Sequence, residues 1–481
     1  MKIKLIAPES TVRPMDSAWK TRMSPPLSLL VLGALTPGRH EVCVEDRNIE
    51  RGRMDETADL VGVTVKVDTV YRARRISADY RRRGIPVVWG GIYPTMCPEH
   101  CAPFADCVVV GEAETIWPKL LEHAEQRALK KIYRAGTAPD IATVPVPRWE
   151  LLKEHGYLFT NTIRIGRGCP WRCDFCYNSA PNIEAGYRAK PIGHVLREID
   201  SLGTRHVMFI DDNFIGSPVY ARRLLARLQT LGLTWHAAVS ADIGRHPDIL
   251  DMMAESGCKS LFIGFESINP RNLASCGKDQ NRVAHYDSTI RAIHERGMMV
   301  NASLVFGFDD DDEAVFPATL EWLVRNRIET MTAHILTPYP GTVLYKRLRR
   351  ERRIIDHDLR HYNTAHVVLE PARLSAHELA RGYRWIYSQF YSLQNIVRRC
   401  PQAAAQRAAY LQFNFLYRKF GKVTSLLGKA FGMRNLARLA TAVAYAPEGS
   451  GTRSEREGET LSSRPIETLW NWAVKRLGGA W

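Results

Sequence analysis

Cys169, Cys173 and Cys176 fall within eight residues, spaced C-x3-C-x2-C. Thiolates that close together on one loop can hold one metal centre from one side. A structural zinc site takes four protein ligands. Here no fourth ligand follows nearby: the next histidine is His194 and the next cysteine is Cys258. Cluster-binding cysteines normally come in fours. Three thiolates and one open position therefore describe a cuboidal iron–sulfur cluster with one iron left free for a substrate. The competing reading is a loop of packed or redox-idle cysteines.

Two strand–helix runs must position this loop. Residues 1–130 alternate short apolar strands (Lys2–Ala7, Glu41–Glu45, Asp59–Val65, Pro86–Gly91, Cys107–Glu112) with helices. That alternation predicts a parallel, doubly wound sheet, which binds ligands at the carboxyl ends of its strands. Thr64, Gly90, Gly91 and Gly111 sit at those ends, and glycine lets a ligand approach the backbone closely. Cys97, Cys101 and Cys107 in this run read as packing cysteines. Residues 131–160 read as a linker, because Ala138–Pro147 is too proline-rich for an element interior. Residues 161–345 form a second α/β run with strands at Thr162–Ile165, His206–Ile210, Thr234–Val239, Ser260–Phe265, Met299–Phe306 and Met331–Leu336. The cysteine loop follows the first of these. Residues 346–447 read as helical, 448–464 as a disordered tether, and the rest of 448–481 as an amphipathic helix after Pro465.

The cysteine loop, with Phe175 just before its last cysteine, resembles the signature of radical S-adenosylmethionine (radical SAM) enzymes. The N-terminal run resembles the cobalamin-binding domain that precedes many of them, on Pro25-Pro-Leu27, Val88-Trp-Gly-Gly-Ile-Tyr-Pro94 and Gly111-Glu-Ala-Glu114. The Asp-x-His-x-x-Gly motif of other cobalamin proteins is absent, as is usual in this branch. The loop Gly277-Lys-Asp-Gln-Asn281 and Thr337-Pro-Tyr-Pro-Gly341 are similar to a subgroup that includes the hopanoid C-2 methylase and, further off, the anaerobic magnesium-protoporphyrin ester cyclase.

The resemblance implies an α/β protein: a Rossmann-like cobalamin-binding domain, a partial (β/α)6 barrel and a helical C-terminal region. It implies a [4Fe–4S] cluster on Cys169, Cys173 and Cys176, whose open iron chelates S-adenosylmethionine. Around that cofactor it places Phe175, Tyr177, Asp211, Asp212, Asn213, Ser240, Glu266, Phe306, Gly307, Leu336 and Thr337. Asp211–Asn213 offer acceptors to the methionyl ammonium, and Glu266 is an acid in an apolar run that needs partners. Cobalamin is expected against Thr64, Val65, Gly90, Gly91, Pro94, Gly111 and Glu112. The acidic run Asp309–Glu313 reads as a solvated turn and not as a metal loop, and Gly277–Asn281 as a polar loop with no chemistry of its own.

The expected activity is methylation of an unactivated carbon, through a 5′-deoxyadenosyl radical and methylcobalamin. A radical cyclase, rearrangement or oxidation enzyme on the same architecture is the alternative. A non-catalytic cobalamin-responsive protein is the alternative of another class. It predicts a degraded cluster loop, which is not seen.

The composition is that of a globular protein, with 45% hydrophobic and 24% charged residues. Ten cysteines in no framework pattern point to a reducing cytoplasm. The N-terminus reads as a strand and not as a signal peptide, and no apolar run approaches the roughly 20 residues that span a bilayer. Of the net charge of +15, nine cations and no acid fall in residues 396–447. No nucleic-acid motif accompanies them. Basic amphipathic helices can lie on anionic membranes, so peripheral contact with the inner membrane is one expectation for this region. The remaining partners expected are a small-molecule or lipid-like substrate and an external electron donor such as flavodoxin or ferredoxin.

Overall fold

Short runs of β-branched and aliphatic residues build two parallel sheets. The computed structural model describes residues 1–15, 20–50, 52, 57–152, 157, 159–183, 186–401 and 403–417. The first sheet contains β1 (Lys2–Ala7), β2 (Glu41–Asp46), β3 (Leu60–Thr64), β4 (Val87–Gly90), β5 (Cys107–Val110) and β6 (Ile132–Arg134). Their order is β2-β1-β3-β4-β5-β6. Helices α1 (Leu27–Leu35), α2 (Val70–Arg82) and α3 (Trp117–Glu125) are interleaved with these strands. β3 to β5 are buried almost throughout, as strands covered on both faces must be. The order reverses between β1 and β3, which makes their carboxyl ends the natural crevice. β6 lies where the linker was expected. The proline-rich stretch begins only after it, so Ile132-Tyr-Arg134 is free to pair with β5.

The second sheet runs in chain order: β7 (Thr162–Ile163), β8 (His206–Phe209), β9 (Thr234–Ser240), β10 (Cys258–Glu266), β11 (Met299–Phe306) and β12 (Thr330–Ile335). All pairs are parallel. Helices α4 (Ile192–Ser201), α5 (Pro218–Leu228), α6 (Pro247–Glu255), α7 (Tyr286–Glu295), α8 (Val315–Arg325) and α9 (Val343–Arg350) separate and follow the strands. This is the expected partial barrel, with β7 and β12 as its edges.

An open edge strand presents unpaired backbone groups. Helix α10 (Ala376–Phe390) covers β12. The Tyr387 hydroxyl takes a hydrogen bond from Ala333 N and gives one to Ala333 O, at 3.0 and 3.1 Å. One turn on, the Tyr391 hydroxyl does the same for Met331, at 3.1 and 2.7 Å. The helical region thus finishes the barrel.

Helices α11 (Leu393–Arg398) and α12 (Ala404–Tyr417) follow. Two members of the basic region prove internal. Arg399 is fully buried and donates to the carbonyls of Ile328, Glu329 and Phe390. Leu411 packs in a cluster with Met299, Ile396 and Tyr410. The rest of the basic stretch, the tether and the terminal helix lie outside the described residues. No helix among the described residues is long and apolar enough to cross a membrane.

Candidate functional site

The cysteine loop leaves β7 at the carboxyl edge of the barrel. Asp211, at the end of β8, is buried and fastens its start: its carboxylate accepts from Ile165 N at 3.0 Å and Gly166 N at 2.6 Å. Both oxygens are engaged with backbone, so Asp211 positions the loop instead of offering the free acceptor expected of it. Its neighbour Asp212 is exposed and takes a 2.5 Å hydrogen bond from the Tyr177 hydroxyl. Asn213 is buried, donates to Ser240 Oγ at 3.0 Å, and accepts from Ser240 N. Ser240 in turn donates to Asp242.

Cys173 is buried, and Cys169 and Cys176 are half-buried. Burial pushes all three thiols up, Cys176 to about 12, while the ammonium of Lys278 opposes that rise. Burial without a metal disfavours the thiolate that ligation needs. Among the described residues no three His, Cys, Asp or Glu side chains converge as a single-ion site. A cuboidal cluster asks for something else, because its irons lie at separate corners and each takes its own thiolate. Three cysteines on one loop supply that set, and a second observation points to a donor-bearing ligand beside them. Asn178 Oδ1 and Gln280 Oε1 are buried polar acceptors beside the cysteines with no protein partner.

Lys278 comes from the loop expected to carry no chemistry, and the structure corrects that expectation. A backbone hydrogen bond from Asp174 N to Cys276 O, at 2.9 Å, ties this loop to the cysteine loop. Lys278 Nζ then lies 2.8 Å from Glu266 Oε1 in a buried ion pair. Glu266 ends β10 with a φ of 65°, unusual for a residue with a side chain. A Cβ on Gly264 would stand 2.5 Å from Glu266 Oε1, so glycine makes room for the pair. Gln280 Nε2 reaches Cys173 Sγ at 3.9 Å.

The later strand ends divide. Phe175 stacks edge-on against Phe308, 6.2 Å between ring centres, in a cluster with Val305 and Leu336. Phe306 faces the other way: its ring lies 5.0 Å from Phe316 of α8, so it belongs to the core and not to a cofactor. Strand alternation forces this, since Val305 and Phe306 point to opposite faces. Phe308 is the aromatic that sequence reasoning passed over. Gly307 has a φ of 101°, and its N donates to Asp311. Thr337 is turned back, donating to Ile335 O at 2.9 Å. The acidic turn is not simply solvated. Asp311 is buried and accepts from Gly307 N, Phe308 N and Asn272, and Asp309 pairs with Arg347 and Arg353.

A cavity of about 690 Å³ opens between the two sheets. Thr11 and Arg13 after β1, Thr64 at the end of β3, and Lys66 and Asp68 after it form one side. Tyr177 of the cysteine loop, Tyr339 and the segment Tyr362–Thr364 form the other. The cavity thus sits at the β1/β3 reversal. Its far wall includes the irregular segment Tyr362–Thr364. Of the residues expected to hold cobalamin, Thr64 lines it. Val65 and Pro94 are buried. A Cβ on Gly91 would meet Thr64 Oγ1 at 3.0 Å and the Val65 backbone at 3.1 Å, and one on Gly111 would meet Ala135 Cβ at 2.9 Å. Gly91 and Gly111, with φ of 103° and 92°, serve the chain's own turns. A Cβ on Gly90 has only Val109 at 3.9 Å for a neighbour. Glu112 faces the barrel instead of the cavity: it pairs with Arg167 and Arg188.

The Radical SAM superfamily signature matches residues 163–323, and a domain of unknown function, DUF4070, matches residues 342–427. The chain is 29% identical to the bacteriochlorophyllide d C-12(1)-methyltransferase of Chlorobaculum tepidum, over 86% of this chain and 92% of that protein. It is 29% identical to the hopanoid C-2 methylase of Rhodopseudomonas palustris, over 70% and 67%. The solved structure of the radical S-adenosylmethionine methyltransferase TsrM from Kitasatospora setae, with cobalamin and a [4Fe–4S] cluster bound, shares its fold. The TM-score is 0.63 at 16% identity, covering 92% of this chain and 99% of that one. The chain carries a radical SAM domain.

Within this domain Cys169, Cys173 and Cys176 are the residues that would hold a cluster.

Proposed function

We propose that this enzyme transfers a methyl group to an unactivated carbon of a large, ring-bearing small molecule. The observation that carries the reading is the shared cavity, which puts the strand ends of the first sheet and Tyr177 of the cysteine loop around one space. When bound, the cluster, S-adenosylmethionine and cobalamin supply a 5′-deoxyadenosyl radical and a transferable methyl group, which a carbon with no lone pair or acidic proton requires.

The chain's own residues bind, orient and exclude water. Cys169, Cys173 and Cys176 supply the cluster thiolates, with Asp211 holding the loop from behind. Glu266, steadied by Lys278, is an acceptor for ribose hydroxyls or an ammonium, and Asn213, Ser240 and Asp242 are further polar contacts. Phe175 and Phe308 form an apolar wall next to the cysteines. In the cavity Arg13, Lys66 and Asp68 give a polar rim, and Ile92, Met96 and Tyr339 give apolar surface.

Relatives named for bacteriochlorophyllide d and for hopanoids support the substrate class. An external one-electron donor such as flavodoxin or ferredoxin, in the cytoplasm, completes the proposal. Peripheral contact with an anionic membrane rests on the cations beyond Tyr417. If it holds, co-sedimentation with anionic liposomes should weaken with salt.

The test is to incubate reconstituted enzyme anaerobically with methyl-labelled S-adenosylmethionine and either a chlorophyllide or a hopanoid. Label in the product supports the proposal. An unlabelled cyclised or rearranged product, formed along with 5′-deoxyadenosine, assigns the radical cyclase chemistry instead.

A further inference from the structure

Gln280 is 3% exposed, and its two amide ends meet different surroundings. Nε2 lies 3.9 Å from Cys173 Sγ, while Oε1 is buried with no protein partner. Which end is nitrogen follows from chemistry. A thiolate accepts hydrogen bonds and cannot donate one, so the amide N–H must face Cys173. The carbonyl is then directed away from the sulfur, as a lone acceptor. Buried polar atoms are nearly always paired, so an acceptor left unpaired by the protein at a cofactor site points to a donor on the ligand.

The loop that carries Gln280 is held firmly. Asn281, its neighbour, donates to the carbonyls of Gly264 and Phe265 at 2.8 and 3.0 Å. The backbone hydrogen bond from Asp174 N to Cys276 O fixes the whole loop against the cysteine loop. Lys278, two residues earlier, is already committed to Glu266 at 2.8 Å and satisfies neither end of the amide.

We infer that Gln280 is a two-ended positioning residue of the cluster site: its N–H steadies the Cys173 thiolate, and its carbonyl receives an N–H donor of the bound cofactor. The inference rests on the cluster reading of the cysteine loop. The donor of matching chemistry is the N–H of the α-amino group of S-adenosylmethionine. The N–H end has an electronic consequence. A hydrogen bond to a ligating sulfur stabilises the more negative, reduced cluster and so raises its reduction potential.

Two variants separate the ends. Gln280→Leu removes donor and acceptor. Gln280→Glu keeps an acceptor but puts an oxygen against the sulfur. Reconstituted proteins are compared by iron content, by redox titration followed by electron paramagnetic resonance, and by calorimetric titration with S-adenosylmethionine. Both variants should load iron as the wild type does, and both should titrate at a more negative potential. Gln280→Leu should bind S-adenosylmethionine roughly tenfold to a hundredfold more weakly, the range of a lost buried hydrogen bond. Gln280→Glu should bind it at least as well as the wild type. An unchanged potential in both variants, or unchanged affinity in Gln280→Leu, overturns the inference. Failure of the wild-type protein itself to assemble a cluster would instead overturn the reading it rests on.

Discussion

Glu112, at the end of the fifth strand, accepts a 2.5 Å hydrogen bond from Arg167, two residues before the first cluster cysteine. Arg188 pairs with the same carboxylate, and Glu114 pairs with Arg167. Four partly buried charges therefore clamp the cysteine loop onto the N-terminal sheet. The Asn182 side chain adds a hydrogen bond to Thr95 O, at 3.1 Å, across the same boundary.

The clamp should matter for stability. Burial works to raise the Glu112 carboxyl, and the guanidiniums of Arg188 and Arg167 overcome it, holding the group below its usual range. A depressed folded pKa gives stability that is present above the unfolded value and lost as pH falls through the folded one. Glu112→Gln should cost about 1–2 kcal/mol at neutral pH, and its deficit should vanish under acid conditions. Urea unfolding of the apoprotein measures both. An equal deficit at every pH would contradict an electrostatic clamp.

The buried pair Glu266–Lys278 gives a second prediction. Removing one partner of a buried pair leaves a lone charge, at a cost of about 3–5 kcal/mol. Lys278→Met should therefore destabilise the apoprotein by about that much, and Glu266→Gln added to it should restore a large part. A double variant no more stable than Lys278→Met would show that the two side chains do not depend on each other.

Asp211 and Asp311 predict the opposite pH sign from Glu112. Burial pushes each carboxyl up to about 6, against backbone N–H groups that hydrogen-bond to it. Their folded pKa lies above the unfolded value near ~4, so the folded state keeps a proton that the unfolded chain gives up. Stability should fall as pH rises from about 4 to about 6 and level off above that, by up to about 3 kcal/mol per group. Asp311→Asn should remove its share of the slope. A slope like that of the wild type in the variant would place this titration elsewhere.

The cysteines divide by their place in the fold. Cys169→Ala, Cys173→Ala and Cys176→Ala should each lose the cluster absorbance and S-adenosylmethionine cleavage. Cys101→Ala and Cys258→Ala, whose thiols are buried away from the loop, should keep both. A full cluster signal in the Cys173 variant would remove the loop from the chemistry.

Local spacing made much of this readable. The cysteine loop is contiguous in sequence, and the six barrel strands are separated by helices whose apolar period is plain. Relations across the fold were not readable. Lys278 and Gln280 look like loop residues until Cys276 docks on Asp174. The Gly111-Glu-Ala-Glu114 string was visible, but Arg167 lies 55 residues beyond Glu112, so its role was not. Glycine was ambiguous in principle. A sequence shows that Gly91 lacks a side chain, but not whether a ligand or the Val65 backbone fills the space. Phe306 and Phe308 differ only by strand register near its end, where the alternation gives way to a turn at Gly307.

Methyl transfer to carbon is tested most directly by the ratio of two by-products. Each product molecule should consume two molecules of S-adenosylmethionine. One leaves as S-adenosylhomocysteine, reporting methyl donation, and the other as 5′-deoxyadenosine, reporting hydrogen abstraction. With substrate present and turnover followed anaerobically, the two should appear in near-equal amounts, and both should be lost in Cys173→Ala. Formation of 5′-deoxyadenosine with substrate but without S-adenosylhomocysteine would contradict the methyltransferase account.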